Sequence, residues 1–124
     1  LKSFALMSRH FFYLSTCDTC RRILKTLGLG PEVVLQDIKK EPVQPAQLDE
    51  MAALAGGYEA LFSRRAVKYR EQGLASQQLG EPDFRRLILE EYTFLRRPVL
   101  VWEGQIFVGN DAATVAAAAA ASRA

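Results

Sequence analysis

Hydrophobic and polar positions change period several times along the chain, and each change marks an element. Residues 10–16, HFFYLST, form an aromatic and apolar run whose length and β-prone residues predict a buried strand. From Asp18 to Leu27 the period becomes helical: Ile23, Leu24 and Leu27 share a face, Arg21, Arg22 and Lys25 lie off it, and GLGP at 28–31 supplies a stop. EVVLQDI, residues 32–38, reads as a second strand. Strand, short helix and strand make a βαβ unit, which crosses over right-handed and pairs its strands in parallel.

The middle is helical. Leu48, Met51, Ala52 and Ala55 recur at helical spacing after Pro45 and stop at Gly56 and Gly57, and Tyr58, Leu61 and Phe62 begin another turn or two. EPDFRRLILEEYTFL predicts a helix over 81–95, with Pro82 near its first turn and Phe84, Leu87, Ile88, Tyr92 and Leu95 on the buried side. After RRP, the segments VLVW, EGQ and IFV predict an antiparallel hairpin with Gly104 in a left-handed conformation. The tail NDAATVAAAAAASRA is a helix on propensity, capped by Asn110 or Asp111, and its alanine run carries no assigned function. The order βαβ, helical block, ββα predicts an α/β protein with a small mixed sheet of the thioredoxin kind. It is expected to be a single domain over residues 1–124, with a helical insertion at about 42–95.

Composition narrows the class. A chain of 124 residues, 49% hydrophobic and 24% charged, matches globular usage and has length enough for a core without disulfide staples. Two cysteines are too few for a secreted disulfide scaffold. No apolar run approaches the ~18 residues of a membrane span, and the apolar centre of LKSFALMSRH is too short for a signal peptide. The expectation is a soluble, cytoplasmic protein with no membrane partner and cysteines in a reducing compartment. Met7 opens MSRHFFYL just before the first apolar run, so residues 1–6 are expected to be a frayed upstream extension. A net charge of +2 gives no argument for direct nucleic-acid binding. The cations nevertheless cluster, as Arg21, Arg22 and Lys25, as Arg64, Arg65, Lys68 and Arg70, and as Arg96 and Arg97. Solvated helix faces are the plain reading of such clusters.

Cys17 and Cys20 are the only cysteines, three positions apart where a strand gives way to a helix. A closed zinc site needs four ligands, and the one further soft ligand is His10, in the preceding strand, so no metal is expected. With Cys17 near the N-cap, the backbone amides of Asp18, Thr19 and Cys20 face its sulfur, and the positive end of the helix dipole favours a thiolate. Cys20, one turn on, is placed to close a disulfide after Cys17 has reacted. The same helix start binds oxyanions through its free amides, and arginines are the natural partners for them. An inert pair of core cysteines is the competing reading. Trp102 and Phe107 read as core, and His10, at the opposite end of the strand from Cys17, does not read as a general base.

YLSTCDTCRRIL after the first strand, DIKKEP after the second, YEALFSRRAVKYR in the insertion and FLRRPVLVWEGQIFVGN near the end together resemble the arsenate reductase (ArsC/Spx) family, a thioredoxin-fold group, from about residue 10 to 115. The resemblance implies that Cys17 is the nucleophile. It places the insertion's arginine on Arg65, with Arg64 as a near rival, and the arginine before a cis active-site proline on Arg97 and Pro98. Two departures from typical arsenate reductases stand out: the segment CDTCRRI carries a second cysteine, and Ile106, Phe107 and Val108 stand where those enzymes carry a further arginine on the last strand. Both lean toward Spx-like and reductase-like members. The resemblance therefore implies one of two functions. In one, a thiol-dependent oxidoreductase uses Cys17 on an oxyanion or disulfide; Arg65 and Arg97 hold the charge, and Cys20 or an external thiol such as glutathione, glutaredoxin or thioredoxin resolves the intermediate. In the other, a redox-sensing regulator binds an RNA polymerase subunit without turnover. Arg64, Asp18, Thr19 and Pro98 complete the expected substrate-binding set, and no bound cofactor is expected.

Overall fold

The computed structural model describes residues 7–123. The expectation for residues 1–6 therefore lies outside the described residues. Strand β1, Arg9–Tyr13, is followed by helix α1, Asp18–Leu27, and strand β2, Val34–Asp37. Then come helices α2, Pro45–Ala55, α3, Val67–Glu71, and α4, Glu81–Glu90, with single 3-10 turns at Glu59–Leu61, Leu74–Ser76 and Tyr92–Phe94. Strands β3, Val99–Trp102, and β4, Gln105–Val108, and helix α5, Ala112–Arg123, complete the order.

The sheet runs β2-β1-β3-β4. β1 pairs with β2 in parallel, His10 opposite Val34 through Tyr13 opposite Asp37, as a right-handed βαβ unit demands. β3 lies antiparallel to β1, with Phe12 opposite Val99, and β4 lies antiparallel to β3, with Val99 opposite Val108. This is the mixed sheet of a thioredoxin-like fold. Because both faces are covered, neighbouring residues bury on opposite sides. Phe11 joins Ile23, Leu27, Leu100, Trp102 and Ala118 under α1 and α5. Phe12 joins Leu48, Met51, Phe84, Phe94 and Val99 under α2, α4 and the turns. That double burial is why the strands read as continuous apolar runs rather than as alternation.

Three element ends differ from expectation for local reasons. β1 stops at Tyr13 rather than residue 16, because the chain turns at once and the Cys17 amide donates to the Leu14 carbonyl at 3.0 Å. The helix expected over 81–95 ends at Glu90: Glu91 is extended at φ −140°, and its carboxylate accepts from the Thr93 amide and hydroxyl, opening a separate 3-10 turn. Phe94, in that turn, is fully buried in the core, where its ring stacks 5.0 Å from Phe62. In the hairpin both central residues are left-handed, Glu103 at φ 45° and Gly104 at φ 86°, which is the pattern whose twist matches the strands. The expectation assigned that conformation to Gly104 alone.

His10 is buried in β1, its Nε2 2.8 Å from Gln36 Oε1, and stacks on Phe12 at 4.3 Å. Burial lowers its pKa, partly opposed by the Gln36 hydrogen bond, and so favours the neutral ring inside the sheet. Among the described residues, no helix is long and apolar enough to cross a membrane.

Candidate functional site

The β1–α1 junction builds the first half of the site. Cys17 is the N-cap of α1, with extended backbone (φ −98°, ψ 116°), and its side chain makes no capping hydrogen bond. Its sulfur therefore stands beside the unpartnered first-turn amides. Cys17 is half-buried, Cys20 is fully buried, and both are free thiols. Partial burial pushes the Cys17 thiol up. The amide and thiol of Cys20, the amide of Thr19 and the charge of Arg97 together outweigh that, and its pKa falls below the ordinary thiol value. Burial pushes Cys20 the other way, to about 11, reinforced by its hydrogen bond to Cys17 and the proximity of that sulfur. The two thiols are thus shifted in opposite directions, Cys17 toward the thiolate and Cys20 toward the protonated thiol.

The loop before Cys17 is latched from β2. Asp37, 8% exposed, accepts from the Ser15 hydroxyl, the Ser15 amide at 3.4 Å and the Lys39 amide at 3.3 Å. These bonds, the Ser15 hydroxyl first among them, hold the Asp37 carboxyl below the usual carboxylate range. Asp37→Asn is expected to cost about 1–3 kcal/mol at neutral pH, since it weakens the charge-assisted, part-buried hydrogen bonds that hold the Ser15 loop. A carboxyl whose folded pKa lies below its unfolded value of about 3.9 stabilises fully above that value and loses the contribution as pH falls through the folded one. The gap between wild type and variant should therefore close below about pH 4 in chemical denaturation, and a gap independent of pH would remove the latch.

Two chain crossings build the other half. The Ser63 amide donates to the Phe94 carbonyl at 2.7 Å, and the Arg96 amide to the Leu61 carbonyl at 2.8 Å, so segment 61–63 lies antiparallel to 94–96. That pairing brings the two arginine doublets together. Arg97 precedes the cis peptide to Pro98, and its Nη1 donates to the carbonyls of Leu95 and Thr93 at 3.1 and 3.2 Å. Its Nε is buried without a partner among the described residues. Arg64 pairs with Glu59 at 3.0 Å and lies over the rings of Phe84 and Phe62. Arg65 is exposed, and its guanidinium makes no ion pair among the described residues.

Between the halves lies an open cleft of about 530 Å³, lined by Cys17, Thr19, Phe62 and Ser63, by Arg64, Arg65, Arg96 and Arg97, and by Glu59 and the 109–111 loop. Of the expected set, Cys17, Thr19, Arg64, Arg65 and Arg97 meet there. Cys20 sits behind Cys17 in the core. Asp18 is exposed and ion-paired with Arg21, whose Nη1 also holds the Ser15 carbonyl at 2.7 Å, so this pair braces the loop outside the cleft. Pro98 is buried and lines a narrow gap against Phe11, Ile23 and Ala118, on the other side of the sheet. Arg96, Ser63, Glu59 and Asn110 were not expected to join the cleft. The RRP doublet was the available signal for Arg96, and Asn110 and Asp111 stood out only as caps. Among the described residues, no three His, Cys, Asp or Glu side chains are grouped to hold a metal.

Solved structures share this fold. The YFFB protein superposes with a TM-score of 0.75 at 23% identity, covering 93% of this chain and 99% of its own. An arsenate reductase (ArsC) related protein from Brucella melitensis gives 0.66 at 25% identity, covering 93% and 97%. An arsenate reductase from Vibrio cholerae gives 0.68 at 20% identity, covering 82% and 89%. No curated protein matches the chain. The ArsC family model matches residues 12–118, from the middle of β1 into α5 and so across both halves of the cleft, and the chain accordingly belongs to the ArsC family, with its thioredoxin-like fold.

Proposed function

We propose that this protein is a thiol-redox protein in which the Cys17 thiolate attacks an oxyanion of the arsenate type or a disulfide. The observation that carries the proposal is the half-buried Cys17 at the α1 N-cap, with its pKa depressed, opening onto an arginine-lined cleft. With a disulfide, the Cys17 sulfur bonds one substrate sulfur and the other leaves as a thiolate. Cys20 then gives up its proton, attacks the Cys17 sulfur and releases the second thiolate, leaving both cysteines oxidised. With an oxyanion, a Cys17–arsenic bond forms with loss of water. A second thiolate then attacks the Cys17 sulfur, and the electron pair of the broken bond reduces As(V) to As(III). The second thiolate is Cys20 or an external thiol of the glutathione, glutaredoxin or thioredoxin type. Arg97, beside the sulfur, and Arg65, which makes no ion pair among the described residues, hold the negative charge that builds up.

The pH dependence of alkylation tests the first step without assuming a substrate. Iodoacetamide modification of Cys17, located by mass spectrometry, should rise with an inflection below the ~8.5 of a free thiol, because its thiolate forms at lower pH. Cys20, buried and at about 11, should stay unmodified through that range. An inflection at or above the free-thiol value would leave Cys17 an ordinary cysteine and the proposal without its nucleophile.

A further inference from the structure

We infer that Arg96 is a substrate-binding residue, gripping an anionic group of the Cys17 partner on the β4–α5 side of the cleft. The inference rests on the proposed Cys17 chemistry and extends it from the reacting atom to the rest of the partner. Arg96 is exposed, yet its guanidinium is held in place. Nη1 donates to the Ala60 carbonyl at 3.2 Å. Nη2 lies against Gly109, where an added Cβ would come within 2.8 Å of it. Gly109 is itself buried and left-handed at φ 101°, and its amide donates to the Pro98 carbonyl at 2.9 Å. The end of β4 is thus fastened beside the Arg97–Pro98 peptide, and a glycine there leaves room for the Arg96 side chain to cross over it.

Held in this way, the group has capacity to spare. Arg96 uses one of five N–H donors on Ala60 and makes no ion pair among the described residues. The nearby Asp111 carboxylate is engaged in capping α5, accepting from the Thr114 hydroxyl at 2.7 Å and the Thr114 amide at 3.2 Å; the Arg96 charge reaches it only as a minor influence. Of the other arginines lining the cleft, Arg64 is neutralised by Glu59, and Nη1 of Arg97 is taken up by backbone carbonyls. Besides the Arg97 charge beside the Cys17 sulfur, Arg65 and Arg96 are the cleft arginines without an ion pair among the described residues. A cleft of about 530 Å³ falls in the range of sites that take whole organic ligands, roughly 300–1,000 Å³, and exceeds what one tetrahedral oxyanion fills. A planar guanidinium with free donors, fixed on its wall, suits the carboxylate or phosphate of such a ligand.

The test compares two disulfides that differ in charge, dithiobis-nitrobenzoate, a dianion, and dithiodipyridine, which is neutral. Each forms a mixed disulfide with Cys17 and releases one coloured thiolate or thione, read by stopped flow. Arg96→Gln is expected to lower the ratio of the anionic to the neutral rate about tenfold, the size of one charge-assisted hydrogen bond. Arg96→Lys, which keeps the charge without the fork, should recover part of that ratio. A ratio the same in wild type and Arg96→Gln, whether both rates hold or both fall together with the melting temperature, would make Arg96 a brace between Ala60 and Gly109 and overturn the inference alone. A wild-type Cys17 no more reactive than a free thiol toward either disulfide would overturn both the inference and the function on which it rests.

Discussion

Cys17→Ser is expected to lower thiol-dependent turnover of arsenate or of a small disulfide by at least about a thousandfold, to the rate without protein. A serine hydroxyl at the α1 N-cap keeps the geometry and the facing amides. It does not ionise near neutral pH, so the thiolate is the one thing removed. Cys20→Ser separates the two half-reactions. Its first step should stay within about tenfold of wild type, because the Cys17 sulfur keeps the Thr19 and residue-20 amides and the Arg97 charge that depress its pKa. The mixed disulfide or Cys17 adduct should then accumulate and be weighable by mass spectrometry until external thiol is added. Position 20 is fully buried, so the hydroxyl costs about 1–3 kcal/mol of its own. Cys20→Ala, which brings no polar group, controls for that loss. If neither variant accumulates an adduct while turnover persists, Cys20 resolves nothing and the external thiol does all of the second step. If Cys17→Ser retains turnover, the nucleophile is elsewhere.

Local chemistry makes most of the fold legible in the sequence. The βαβ unit, the hairpin and the α1 N-cap each have their determinants within a few residues: an apolar run, a change of period, a glycine at the turn. The placement of Cys17 was legible for the same reason, since a strand-to-helix junction and a cysteine at the helix start are adjacent in sequence. What was not legible depends on partners distant along the chain. The Asp37 carboxylate that latches Ser15 acts across a separation of 22 residues, and DIKKEP showed only that a strand ends there. Arg96 reaches Ala60 across 36 residues and packs over Gly109, contacts to which no period points. Arg64 and Arg65 look equivalent in sequence. Only the 3-10 turn at Glu59–Leu61 and the aromatic faces of Phe62 and Phe84 commit the first to packing and leave the second free. The expected helix over 81–95 is too long for a local reason: Tyr92 and Leu95 continue the helical spacing, but a Glu91 carboxylate capping Thr93 outweighs spacing at a helix end.

Arg97→Met should produce two effects that other positions do not combine. Arg97 Nη1 gathers the carbonyls of Thr93 and Leu95 at the close of a 3-10 turn, and its charge is also among the groups that depress the Cys17 pKa. Methionine fills much of the same space but donates nothing, leaving part-buried carbonyls without their charged donor at a cost of about 3 kcal/mol. The melting temperature should fall accordingly. The Cys17 alkylation inflection should move to higher pH, because one of the influences that lower the thiol pKa is gone. It should stay below the free-thiol value, since the Thr19 and Cys20 amides remain. Arg97→Lys tests the two effects apart. An ammonium on a flexible stem restores the positive charge beside the sulfur, but it lacks the planar fork that serves two carbonyls while presenting further donors. It should therefore bring the inflection back more completely than the stability. A loss of stability with an unmoved inflection would reduce Arg97 to a brace for the turn. An inflection that moves while stability holds would show that the Thr93 and Leu95 carbonyls find other donors, water among them, and that the thiolate alone depends on this arginine.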